Sequence, residues 1–148
     1  MRNVLITLAI CVAPTLVHAG EKFAATNYYV TETKAWPTGE KAGYWVVKFS
    51  GISETSDGPI ATLPVECHGA GFWNKGGVSG EGICVHGSGD DTFVLRWEAV
   101  PGSKSNSWNI LSGKGKYAGI TGKGTATTKK LRGNRRISKL AGEVKFAE

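Results

Sequence analysis

The sequence predicts an all-β domain of several short antiparallel strands stapled by one disulfide, and three observations predict it. Runs rich in Val, Ile, Thr and aromatic residues recur at short intervals. Turn-forming Gly, Pro, Asn, Asp and Ser clusters separate those runs, and the chain holds 21 glycines, which suit tight turns, bulges and sharp corners. No stretch beyond the N-terminal apolar segment sustains a helical repeat. Such a pattern fits a β-sandwich or a β-barrel.

The expected strands run in order. Phe23 to Thr33 is rich in Tyr, Val and Thr, and Tyr44 to Phe49 follows, with a Ser56-Asp57-Gly58-Pro59 turn after it. Leu63 to Trp73 and Val78 to His86 flank a tight turn at Asn74-Lys75-Gly76-Gly77. Gly87 to Asp91 turns into Thr92 to Trp97, and a Pro101-Gly102-Ser103 loop leads to Ser107 to Leu111. Gly122 to Lys130 is Thr-rich, and Arg136 to Phe146 alternates imperfectly. Many of these runs carry apolar residues on both faces, so parity does not say which face points inward. Burial on both sides would also suit a homo-oligomer packing one wall against another.

The first residues read as an exported leader. Arg2 is the only charge before Glu21, Val4 to Ala13 is apolar, and Val17 and Ala19 place small or apolar residues at a cleavage site. The apolar run is ten residues long, whereas a membrane-spanning helix needs roughly 20. Residues 1–19 are therefore expected to be a signal peptide and residues 20–148 one domain, periplasmic or secreted, with no transmembrane segment after cleavage. Losing Arg2 lowers the net charge from +6 to +5.

Cys11 leaves with the leader, and Cys67 and Cys84 remain. A two-residue turn at Lys75-Gly76 pairs residues whose numbers sum to 151, as those of Cys67 and Cys84 do. The two face each other across an antiparallel pair, within disulfide reach in an oxidising compartment. A metal reading would recruit His68 and His86 as well. In a strand Cys67 and His68 point to opposite faces, so the four groups do not converge on one tetrahedral ion, and no metal is expected.

The segment Gly113-Lys114-Gly115-Lys116-Tyr117-Ala118-Gly119-Ile120-Thr121-Gly122-Lys123-Gly124-Thr125 satisfies neither the phosphate-loop nor the dinucleotide pattern, and no helix follows it, so no cofactor is expected. Its glycines suit a loop that crosses one barrel end, with Tyr117 and Ile120 plugging that end. This segment, preceded by Gly82-Ile83-Cys84-Val85, a Gly/Asp turn and an aromatic-rich strand, resembles a signature of small exported bacterial proteins similar to the allene oxide cyclase and dirigent barrel superfamily. The resemblance covers roughly Cys67 to Thr128. It implies an eight-stranded antiparallel β-barrel with an interior cavity, and oligomers of such barrels. It implies no single activity and carries over no catalytic residue.

Candidate site residues follow from residue chemistry. Among five tryptophans, Trp45, Trp97 and Trp108 fall on expected strands and suit the lining of a cavity, with Tyr117 beside them as a ligand contact, while Trp36 next to Pro37 suits a barrel mouth. No acid occurs between Ala99 and Gly142, and Lys129, Lys130, Arg132, Arg135 and Arg136 cluster at an expected hairpin tip. That tip reads as a solvated loop or as a site for an anionic surface, polymer or protein. The aromatics lie mostly elsewhere in the chain, so nucleic acid is not an expected partner. Glu66, Glu81 and His68 share one face of the cysteine hairpin. On an inward face they would be raised-pKa candidates for proton transfer, and on an outward face they are ordinary surface groups. No Ser-His-Asp pattern occurs, and disulfide-bonded cysteines offer no thiol nucleophile.

Three readings of function result: a barrel that binds a small apolar or aromatic molecule, a cofactor-free cyclase or isomerase using the same cavity, and a polyanion or protein binder acting through the basic tip. The binder is the preferred expectation.

Overall fold

A computed structural model describes residues 20–147. The expected leader, with Cys11, lies outside the described residues. Eight strands form: β1 (Glu21–Gly39), β2 (Ala42–Asp57), β3 (Leu63–Asn74), β4 (Gly77–Ser88), β5 (Asp91–Ala99), β6 (Asn106–Gly113), β7 (Thr121–Lys130) and β8 (Arg135–Lys145). Each pairs antiparallel with the next and β8 pairs with β1, so the sheet closes into a barrel with no crossover.

All eight expected strands are present, and two are much longer than their β-forming cores. Pairing of β1 with β2 runs from Ala24↔Asp57 to Gly39↔Ala42, drawing in residues that local propensity does not mark as strand. Above Val30↔Arg135, β1 has no β8 partner. The upper part of β1 is thus an edge, where Pro37 is tolerated because its missing donor faces no neighbour.

The cysteine hairpin takes the expected register. Cys67 opposes Cys84, Asn74 opposes Gly77, and the two cysteines are bonded. Asn74 Oδ1 accepts the Gly76 N–H at 2.7 Å, which tightens the turn.

One barrel end is closed from within. The β6–β7 connection folds inward through a 3-10 turn at Gly115–Tyr117. Gly115 and Gly119 take φ of 58° and 71°, a conformation that side-chain-bearing residues rarely adopt, and so allow the loop to reverse twice. Tyr117 and Ile120 are buried, and the Tyr117 ring meets Phe93 edge-on at 5.3 Å. Phe23, Leu63, Val65 and Val144 complete this apolar end. The other end, where the β1–β2, β3–β4, β5–β6 and β7–β8 turns gather, stays open.

Candidate ligand-binding cavity

Alternation along the strands divides the barrel into an inner and an outer surface. The inner surface holds a pairing of tryptophan with glycine. The Trp45 ring lies over Gly71 and Gly80, Trp97 over Gly69 and Gly82, and Trp108 over Gly124 and Gly142. In each case the two glycines sit opposite one another on adjacent strands, as Gly71↔Gly80, Gly69↔Gly82 and Gly124↔Gly142 do. A side chain at any of these glycines would displace the indole. Without one, the indole lies close against the wall and covers exposed backbone, a known device for stabilising glycine-bearing strands. The lumen therefore stays open. An eight-stranded barrel is just wide enough for its side chains to fill it or to hold one small ligand. Here a cavity of about 800 Å3 remains, within the range of small-molecule sites.

The cavity is two-sided. Trp45, Phe49, Trp73 and Trp97 supply an aromatic wall from β2, β3 and β5, and the Trp45 and Trp97 rings are nearly parallel, 6° apart in plane and 6.3 Å between centroids. Thr33, Asn106, Thr128, Arg136 and Ser138 supply a polar wall from β1 and β6 to β8. Within that wall the Thr128 and Ser138 hydroxyls are hydrogen-bonded to each other at 2.5 Å.

Three polar side chains are buried deep in the cavity. Asn27 donates from Nδ2 to the Tyr29 hydroxyl at 2.5 Å, and that hydroxyl lies 3.5 Å from the Cys67 Sγ of the disulfide. Burial pushes the Tyr29 phenol up to about 12, partly offset by the Asn27 hydrogen bond, so it is a neutral donor at any physiological pH. His86 is stacked on Phe93, 8° from parallel at 4.7 Å, and burial lowers its pKa to about 4. Asn27 Oδ1 and His86 Nε2 are buried without a hydrogen-bond partner. Unpaired buried polar atoms are uncommon and costly in folded proteins.

A pH dependence follows from His86. Its folded pKa, about 4, lies below the unfolded 6.5, so the neutral form favours the fold. This contribution is complete above pH 6.5 and is lost as the pH falls toward 4, because the unfolded chain binds the proton first. Urea unfolding at pH 7 and pH 4.5 should show a loss of stability on acidification that the His86→Phe variant reduces. An equal acid loss in both proteins would refute it.

The structure sorts the candidates read from the sequence. Trp45, Trp97 and Trp108 line the cavity. Tyr117 does not: it belongs to the plug, separated from the lumen because its loop turns under Phe93. Trp36 lies near the open end but faces outward and does not line the cavity. It is half exposed on the outer wall, stacked on Tyr44 at 6.0 Å. Glu66, Glu81 and His68 face outward, so the proton-transfer reading of these three loses its geometry. Glu66 meets Lys48 Nζ at 2.8 Å and His68 Nε2 at 2.9 Å, and Glu81 pairs with Arg96. Hydrogen bonds from Lys48 and then His68 hold the Glu66 carboxyl below its ordinary value. His68 and His86, on opposite faces, are not brought together. Lys129, Lys130, Arg132 and Arg135 are exposed around the β7–β8 turn, but Arg136 turns inward and lines the cavity.

Asn27, Tyr29, Trp73 and His86 were not singled out as cavity residues from the sequence. One signal for His86 was present: it shares the parity of Cys84, and so the face of the disulfide. No family model matches the chain, and no curated protein matches it.

Proposed function

We propose that this protein is an exported barrel that binds one small, largely apolar or aromatic molecule in its interior. The observation that carries the reading is the open cavity of about 800 Å3 between an aromatic wall and a polar one, closed at its far end by the Tyr117 plug. The leader-like residues 1–19 support export, and the disulfide is compatible with an oxidising compartment. No helix among the described residues is long and apolar enough to cross a membrane. The resemblance of the glycine segment to the allene oxide cyclase and dirigent barrels agrees with an interior site. Among the described residues no Asp or Glu lines the cavity, which favours binding over acid-driven cyclisation.

Titration with the neutral fluorophore N-phenyl-1-naphthylamine tests this. Its emission should rise and saturate at one probe per barrel. Ala99→Trp, which adds an indole where Ala99 lines the cavity near the mouth, should weaken binding without lowering the melting temperature substantially. A probe that does not bind, or binds the variant equally well, would count against an interior site.

A further inference from the structure

Among the described residues lining the cavity, Arg136 alone carries a charge, since burial keeps His86 neutral. Its neighbour Arg135 is on the outer face, and strand alternation sends Arg136 inward opposite Tyr29. No carboxylate lies within ion-pair distance of Arg136 among the described residues, whose ion pairs are formed by Lys48, His68, Arg96 and Lys116. The Arg136 Nε is buried with no hydrogen-bond partner. A guanidinium drawn toward a low-dielectric interior without a counter-charge is unfavourable, and its planar fork of donors matches a carboxylate, sulfonate or phosphate in two parallel hydrogen bonds.

The surroundings point the same way. Thr128 and Ser138 stand near Arg136 on the polar wall, and Trp45 and Trp97 line the same cavity from β2 and β5. Three of the four turns around the mouth carry an exposed basic residue and no acid, at Lys75, Lys104 and Arg132, and the fourth sets Lys41 beside Glu40. An excess of positive charge around an opening attracts anions and raises their local concentration.

Resting on the cavity reading, we infer that the ligand is an amphipathic organic anion, with a planar apolar body against the Trp45–Trp97 wall and a carboxylate-type head on Arg136. The basic tip read from the sequence as a separate macromolecular site is then part of the approach to this cavity.

The probes are 2-naphthoate and its neutral near-isostere 2-naphthamide, followed by quenching of tryptophan fluorescence. The wild-type protein should bind naphthoate about tenfold more tightly than naphthamide, as a charge-assisted pair in a shielded site would give. Arg136→Gln should abolish that preference, lowering naphthoate affinity about tenfold relative to naphthamide in the same variant. Arg136→Lys should keep part of it, and Arg135→Gln, which removes a rim charge only, should keep nearly all of it. Equal wild-type affinities for the two probes would overturn the inference while leaving the cavity reading standing. So would a preference that survives Arg136→Gln or disappears in Arg135→Gln. If neither probe binds, both readings fall.

Discussion

Replacing Trp108 with alanine is expected to destabilise the barrel by about 3–5 kcal/mol, the usual cost of deleting a large buried aromatic. Trp108 is 3% exposed, the most deeply buried of the tryptophans. Its ring meets Phe23 edge-on at 5.8 Å, and its indole N–H donates to the Thr125 carbonyl at 3.0 Å. It also covers Gly124 and Gly142, where β7 and β8 have no side chains of their own to bury. Truncation would therefore remove packing, leave a carbonyl without its donor and uncover the backbone of two strands at once. Pairing of β6 with β7 runs only from Asn106↔Ala126 to Asn109↔Lys123, so this side of the barrel has little else to hold it. Trp45→Ala is the comparison. Trp45 covers glycines in the same way, yet it is only partly buried and its Nε1 has no partner to lose. Urea unfolding should show Trp108→Ala losing at least twice as much stability as Trp45→Ala. Equal losses would mean that the indole–glycine contact, rather than depth and hydrogen bonding, sets the cost.

Removing the disulfide should have an effect of similar size. Cys67 and Cys84 are 17 residues apart, and a cross-link closing a loop of that length restricts the unfolded chain by about 3 kcal/mol. The change is best made as Cys67→Ala with Cys84→Ala, because serine hydroxyls at these buried positions would need partners. For a domain of this size such a loss corresponds to a fall in melting temperature of roughly 10 °C. The bond lies on the cavity lining beside the Tyr29 hydroxyl, so the double variant reports on two things. Its melting temperature measures the cross-link, and its retained binding of N-phenyl-1-naphthylamine measures whether the cavity survives. A shift of only a degree or two would show that the β3–β4 pairing already restrains the chain as much as the bond does.

Features determined by neighbouring residues were legible in the sequence. The Asn74 to Gly77 turn sets the pairing of β3 with β4, and Cys67 meets Cys84 as simple counting across that turn requires. The spacing of turn clusters located all eight strands, and the glycine-rich segment announced an end plug with Tyr117 and Ile120 inside it. Turns and glycine conformations are local matters, settled by the residues that form them.

The direction in which each strand faces was decided by closure. Tyr28, Tyr29 and Val30 are all good strand residues, yet only Tyr29 is buried. Ile83 and Val85 lie outside while His86 lies within, the reverse of what hydrophobicity alone would choose. Arg135 and Arg136 are indistinguishable as neighbours in a basic run, but Arg136 enters the lumen. Its orientation depends on the register of β8 against β1, where Tyr29 opposes Arg136 across a separation of more than a hundred residues. A slip of one residue there would exchange the two arginines. The sequence by itself determined the strands, their turns and the disulfide, because those depend on short-range geometry. Only the tertiary structure decided which side chains line the cavity, because that depends on how the first and last strands meet.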